Sequence, residues 1–136
     1  MPNTKALKDL PKHFQEEEKQ LLKHGINNWI SLKNLKDEDL FTIAQEGLAT
    51  TKNLMRLRGM ARLITEIKIS QSEAALLLHS GIASSKALAS LTPLEVIKKT
   101  ERLKRQLYKE NGNLIDLAKA NSWVKKAKRA NRELTQ

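Results

Sequence analysis

Two stretches of this chain carry the same pattern. Residues 21–40 read LLKHGINNWISLKNLKDEDL, and residues 77–96 read LLHSGIASSKALASLTPLEV. A shift of 56 positions lays Leu21 on Leu77, Leu22 on Leu78, Gly25 on Gly81, Ile26 on Ile82, Leu32 on Leu88 and Leu35 on Leu91. Each copy is the end of one helix, a glycine turn and the start of another helix. Further on, Thr51-Lys52-Asn53-Leu54-Met55-Arg56 answers to Thr100-Glu101-Arg102-Leu103-Lys104-Arg105, now at a shift of 49, so the second copy is shorter by seven residues. Repeats of this kind stack through equivalent faces around one core. The expected organisation is a single compact domain over 1–136, with a first unit at 14–67, a second at 72–108 and a C-terminal basic helix and tail at 113–136. The two units are expected to pack with approximate twofold symmetry.

The rest of the pattern is helical. Apolar residues recur at steps of three and four, valine occurs only at 96 and 124, and no useful stretch alternates with period two. These features predict an all-α fold. Helices are expected at about 14–24, 28–34 and 38–45, from a cap at Thr50 or Thr51 to about 67, from Ser70 or Ser72 to about 79, and at 84–90 and 93–108, with a last one from about 114. Gly25 and Gly47 stop two of them, and Thr92-Pro93 starts another. On the long helix, Leu54, Leu57, Met60, Ala61, Ile64 and Ile67 share one side. Past Val124 the apolar face fades, so the segment KKAKRANRELTQ is expected to be an exposed, fraying helix or disordered. A short turn at 4–10 opens the chain, and Lys109–Asn113 reads as a loop.

The formal charge of +10 is unevenly spread. Residues 1–50 hold seven Lys/Arg and eight Asp/Glu, whereas residues 51–136 hold 18 and seven. Such asymmetry points to a polyanionic partner. The candidate binding residues are Lys52, Arg56, Arg58 and Arg62 on the long helix. Lys98, Lys99, Arg102 and Arg105 stand at similar places in the second copy, and Lys125, Lys126, Lys128 and Arg129 lie near the C-terminus. The alternative for each group is a solvated helix face. Trp29 and Trp123 are expected in the core, with base stacking as the alternative.

The pattern L-x-x-x-G-I-x-x-x-x-x-L-x-x-L-x-x-x-x-L, followed by a glycine and an amphipathic helix, resembles helix-hairpin-helix domains. Leu21, Gly25, Ile26, Leu32, Leu35, Leu40 and Gly47 carry the likeness, which covers about residues 14–107. In texture it is similar to the C-terminal domain of the bacterial RNA polymerase α subunit, and to an uncharacterised family of small proteins built from two such units. The resemblance implies glycine turns whose backbone N–H groups hold a phosphate at a helix start. The family's hairpin is Gly-hydrophobic-Gly. Here the turns are Gly25-Ile26-Asn27 and Gly81-Ile82-Ala83, each without the second glycine. Asn27 tolerates a positive φ and Ala83 does so poorly, so the first turn is the better candidate for phosphate contact. The alternative for both is a tight structural connection.

Catalysis has little support. His13, His24 and His79 are scattered, there is no cysteine, and no phosphate loop or nucleophile motif is present. No cofactor, metal or small-molecule substrate is expected. The N-terminal MPNTKALKDLPKHF lacks the apolar segment of a leader. No run approaches the roughly 20 apolar residues that span a bilayer. A soluble, cytoplasmic protein without a membrane partner is therefore expected. The functional expectation is a non-enzymatic protein that binds the sugar–phosphate backbone of DNA or RNA with little sequence preference. The alternative is a protein-interaction adaptor that uses the same basic faces.

Overall fold

Eight α-helices make up nearly all the regular structure of the described residues. The computed structural model describes the backbone of residues 6–8, 10–107 and 116–135, and the side chains of that set apart from those of 102–107 and 133–135. Among them no strand occurs, only an isolated bridge between Ala6 and Asn28. The fold is all-α. The loop expected at 109–113 lies outside the described residues, as does part of the opening turn.

The chain divides into two compact units, Met1–Ala61 and Arg62–Gln136. The division falls inside the long helix Thr51–Ile67.

The first unit begins with a 3₁₀ turn at Lys12–Phe14 and continues through α1 (Gln15–Lys23), α2 (Trp29–Lys33), α3 (Asp37–Ala44) and the start of α4 (Thr51–Ile67). Phe14, Leu21, Trp29, Leu32, Leu40 and Leu54 are fully buried there. Glu16, Glu17 and Glu18 lie in the first turn of α1, where the helix dipole favours anions. Glu17 does more than that. Its buried carboxylate accepts the Thr50 N–H at 2.9 Å, and so sets a negative charge against the start of α4. Thr50 in turn caps α4 by accepting the Asn53 N–H at 3.2 Å.

The second unit contains the end of α4, then α5 (Gln71–His79), α6 (Ser85–Ala89), α7 (Pro93–Leu107) and α8 (Leu117–Thr135). Two helices start with reciprocal caps. In one, Ser70 Oγ accepts the Glu73 N–H and Glu73 returns a carboxylate to the Ser70 N–H. Thr92 and Glu95 do the same for α7. The core includes Leu63, Ile67, Leu77, Ile82, Leu88 and Val96. Leu63 is fully buried although it lies on the same side of α4 as Lys52 and Arg56. The last turns of α4 are therefore enclosed more widely than a single apolar stripe requires.

Of the two alternatives for the segment past Val124, the helix is the one formed, and its buried face does not stop at Val124. The helix continues to Thr135 and packs on α6 and α7. Ala120, Trp123, Val124 and Ala127 are buried at steps of three and four, and Ala130 and Asn131 are half-buried. Small alanines let this face approach its neighbours closely. A count of large apolar residues overlooks them.

Candidate functional site

The two glycine turns match bond for bond. In the first, the Ile26 N–H donates to the Leu21 carbonyl at 2.8 Å and the Gly25 N–H donates to that of Leu22 at 3.0 Å. In the second, Ile82 donates to Leu77 at 2.8 Å and Gly81 to Leu78 at 3.0 Å. This is the helix C-cap in which glycine takes a left-handed backbone. Gly25 has φ +79° and Gly81 has φ +90°. The short helices that follow also start alike. Asn28 Oδ1 accepts the Ser31 N–H at 2.8 Å, and Ser84 Oγ accepts the Ala87 N–H at 3.0 Å.

Neither Asn27 nor Ala83 adopts a positive φ. The missing second glycine therefore costs the turns nothing, and the expected contrast between them disappears. A Cβ added at Gly25 or Gly81 would meet nothing within 4 Å, so each glycine serves the backbone angle alone. The turn N–H groups of Gly25, Ile26, Gly81 and Ile82 are all spent on capping α1 and α5. The first turn is engaged further, because the Leu7 N–H donates to the Asn27 carbonyl at 2.9 Å.

The cations fare differently from one another. Arg58 turns inward: its guanidinium donates to the Leu35 carbonyl at 3.1 Å and to Asp37 Oδ1 at 2.6 Å, and its side chain is only 11% exposed. It ties α4 to the connection between α2 and α3 and offers little charge to a ligand. Arg58, one of the expected binding residues, thus holds local structure. Lys52 and Arg56 are exposed in the first two turns of α4, and Arg62 is half-buried in its later part. Lys98 and Lys99 are exposed on α7. There they help the Thr92 cap to hold the Glu95 carboxyl below its usual range. The side chains of Arg102 and Arg105 lie outside the described residues.

The densest charge is on α8. Its buried stripe leaves the opposite side to solvent, where Lys125, Lys126, Lys128 and Arg129 are all exposed. At 100° per residue these four spread over about half the helix circumference. No acid occurs between Asp116 and Glu133. None of the four makes a hydrogen bond or ion pair with the described residues. Lys119, on the same helix, is paired instead. Its Nζ lies 2.9 Å from Glu73 Oε2 on α5 and 5.9 Å from the centre of the Trp123 ring. Burial works to raise the Glu73 carboxyl, but the Ser70 cap and Lys119 outweigh it and hold the group below the usual carboxylate range. The Glu73 hydrogen bond and charge in turn raise Lys119.

Both tryptophans are interior, Trp29 at 1% and Trp123 at 4% exposure, so neither presents a ring for stacking. One basic residue escaped the sequence reading. Lys68 ends α4 with φ +60°, the only non-glycine among the described residues to do so. The signal was available: an apolar helix ends at Ile67, a cap begins at Ser70, and no glycine lies between them.

Among the described residues no group of three His, Cys, Asp or Glu is placed to hold a metal ion. No described helix is long and apolar enough to cross a membrane.

These features define a class: a small all-α protein with two matching glycine turns and a terminal helix of one-sided positive charge. The chain belongs to the family described as Domain of unknown function (DUF4332), whose model matches residues 11–130 and so reaches from the 3₁₀ turn into α8. Neither the curated proteins nor the solved structures give a match.

Proposed function

We propose that this chain is a non-enzymatic nucleic-acid-binding protein of helix-hairpin-helix type that contacts the sugar–phosphate backbone. One observation carries the reading: Lys125, Lys126, Lys128 and Arg129 are exposed on a well-packed helix, without a partner among the described residues, in a stretch that holds no acid between Asp116 and Glu133. Unpaired like charges at this density repel one another, and a line of phosphates relieves the repulsion. The support comes from side chains and not from the glycine turns, whose Gly25, Ile26, Gly81 and Ile82 N–H groups cap the preceding helices. Lys52 and Arg56 add exposed charge in the first unit.

The test is a titration of the full chain against duplex DNA, single-stranded DNA and RNA at two salt concentrations. Binding that weakens steeply with salt supports the reading, together with its loss when the four α8 cations become glutamine. Affinity indifferent to salt, or unchanged in that variant, overturns it.

A second reading is a protein-interaction adaptor, as the polymerase-like resemblance implies. It is favoured by Leu22, Phe41, Leu48 and Met55, four large apolar side chains left exposed in the first unit, with Leu48 at 76%. Salt-independent capture of a single protein after nuclease treatment would decide for it.

A further inference from the structure

A cleft of about 200 Å³ opens in the second unit between the end of α4 and α8, lined by Glu66, Ile67, Lys68, Lys126, Arg129 and Ala130. Three of its six residues are cations and one is an acid. The acid is partly occupied, since the buried Ser85 hydroxyl donates to Glu66 Oε1. Lys126 and Arg129 make no hydrogen bond or ion pair with the described residues. Ile67 and Ala130 supply the apolar remainder, so the polar partners of any occupant are charged.

Lys68 is the second observation. The other described residues with positive φ are Gly25, Gly47 and Gly81. Glycine takes that backbone without strain, whereas lysine does not. At this one position the chain accepts a strained backbone and gains an ammonium group on the cleft.

We propose that this cleft is a subsite for a doubly charged phosphate group, such as the terminal phosphate of a nucleic-acid strand. The proposal deepens the nucleic-acid reading and rests on it for what carries the phosphate. The charge balance selects the ligand. Three positive groups and one carboxylate leave two positive charges, whereas a phosphomonoester carries roughly −1.5 to −2 at neutral pH and a backbone phosphodiester carries only one. The last turn of α4 opposes an anion with a partial charge of about half an electron, which is less than any one of the three cations supplies. Arg129 offers a planar fork for two phosphate oxygens, and the lysines act as point charges.

The experiment uses the full chain and three probes: inorganic phosphate, a 5′-phosphorylated oligonucleotide and the same oligonucleotide with a 5′-hydroxyl. Amide and side-chain chemical shifts report the site, and calorimetry reports affinity. Phosphate is expected to shift the signals of Lys68, Lys126 and Arg129, and the 5′-phosphorylated strand to bind roughly tenfold more tightly, the scale of one hydrogen bond to a charged group. K68G removes the ammonium while relieving the backbone. It should melt no lower than the parent and lose the preference. K126Q/R129Q should also lose it, whereas K125Q/K128Q, on the outer face, should keep it. Equal binding of the two strands, with no phosphate-induced shifts in the cleft, overturns the subsite and leaves backbone binding standing. Shifts with phosphate but no binding of either strand support the subsite and sink the nucleic-acid reading.

Discussion

Gly47 and Gly81 share a left-handed backbone yet differ in what a methyl group would meet. At Gly81 there is open space, so Gly81→Ala is expected to cost about 1 kcal/mol, the strain of the backbone angle alone. At Gly47 the new carbon would lie 2.5 Å from Nε2 of Gln20, a buried side chain whose Oε1 has no hydrogen-bond partner among the described residues. Gly47→Ala should therefore cost clearly more, and urea unfolding of the two variants gives the difference directly. Equal losses would mean that Gln20 moves aside freely. Arg58 is the other position where one side chain holds local structure. Arg58→Ala removes two hydrogen bonds, one to a carboxylate, and leaves the Leu35 carbonyl without that donor. A loss of about 1–3 kcal/mol is expected by the same measurement, far above the value of an exposed ion pair.

At the scale of elements, the tie between α5 and α8 responds to pH. Glu73 titrates below its usual range in the folded protein, so its contribution is complete above the unfolded value of about 4.3 and disappears as pH falls through the lower folded value. Lys119 is raised, so its share is present below the ordinary lysine value and is lost only as pH climbs through the folded one. Glu73→Gln keeps an oxygen for the Ser70 cap and discards the charge. Its melting temperature should consequently fall less between pH 6 and pH 3 than the parent's does, and equal slopes would show that the pair adds nothing. Most of these elements were legible in the sequence. Helix starts at Ser70 and Thr92, and stops at Gly25, Gly47 and Gly81, rest on side-chain and backbone chemistry confined to a few neighbouring residues. What stayed hidden depends on contacts distant in sequence. The inward turn of Arg58 requires the Leu35 carbonyl, more than twenty positions away. The burial of Leu63 and the persistence of α8 beyond Val124 depend on neighbouring helices. The cleft around Lys68 needs two segments more than fifty residues apart, and of its cations only Lys126 and Arg129 stood out in the sequence.

Across the whole molecule, charge follows the structural division. Met1–Ala61 holds ten Lys/Arg against eight Asp/Glu, and Arg62–Gln136 holds fifteen against seven. The first unit is close to neutral and holds several of its charged groups internally: Arg58 with Asp37, Glu46 in a 3.1 Å hydrogen bond with the His24 ring, and Glu17 with the start of α4. The second unit pairs Lys119 with Glu73 but leaves Lys125, Lys126, Lys128 and Arg129 exposed. A general attraction of a basic protein for polyanions and a docked α8 differ in how the salt dependence is distributed. Each phosphate neutralised adds about 0.9 to the slope of log K against log salt on duplex DNA. If α8 is the contact, neutralising Lys125, Lys126, Lys128 and Arg129 together should lower the slope by about 3 to 4. Neutralising the equally exposed pair Lys52 and Arg56 should lower it by much less per charge removed. Proportional losses from both sets would mean that net charge alone attracts the polyanion, because a diffuse field does not distinguish one exposed cation from another. A steep loss confined to α8 would instead locate the phosphates along a single helix, the arrangement that its buried alanine stripe and its four exposed cations prepare.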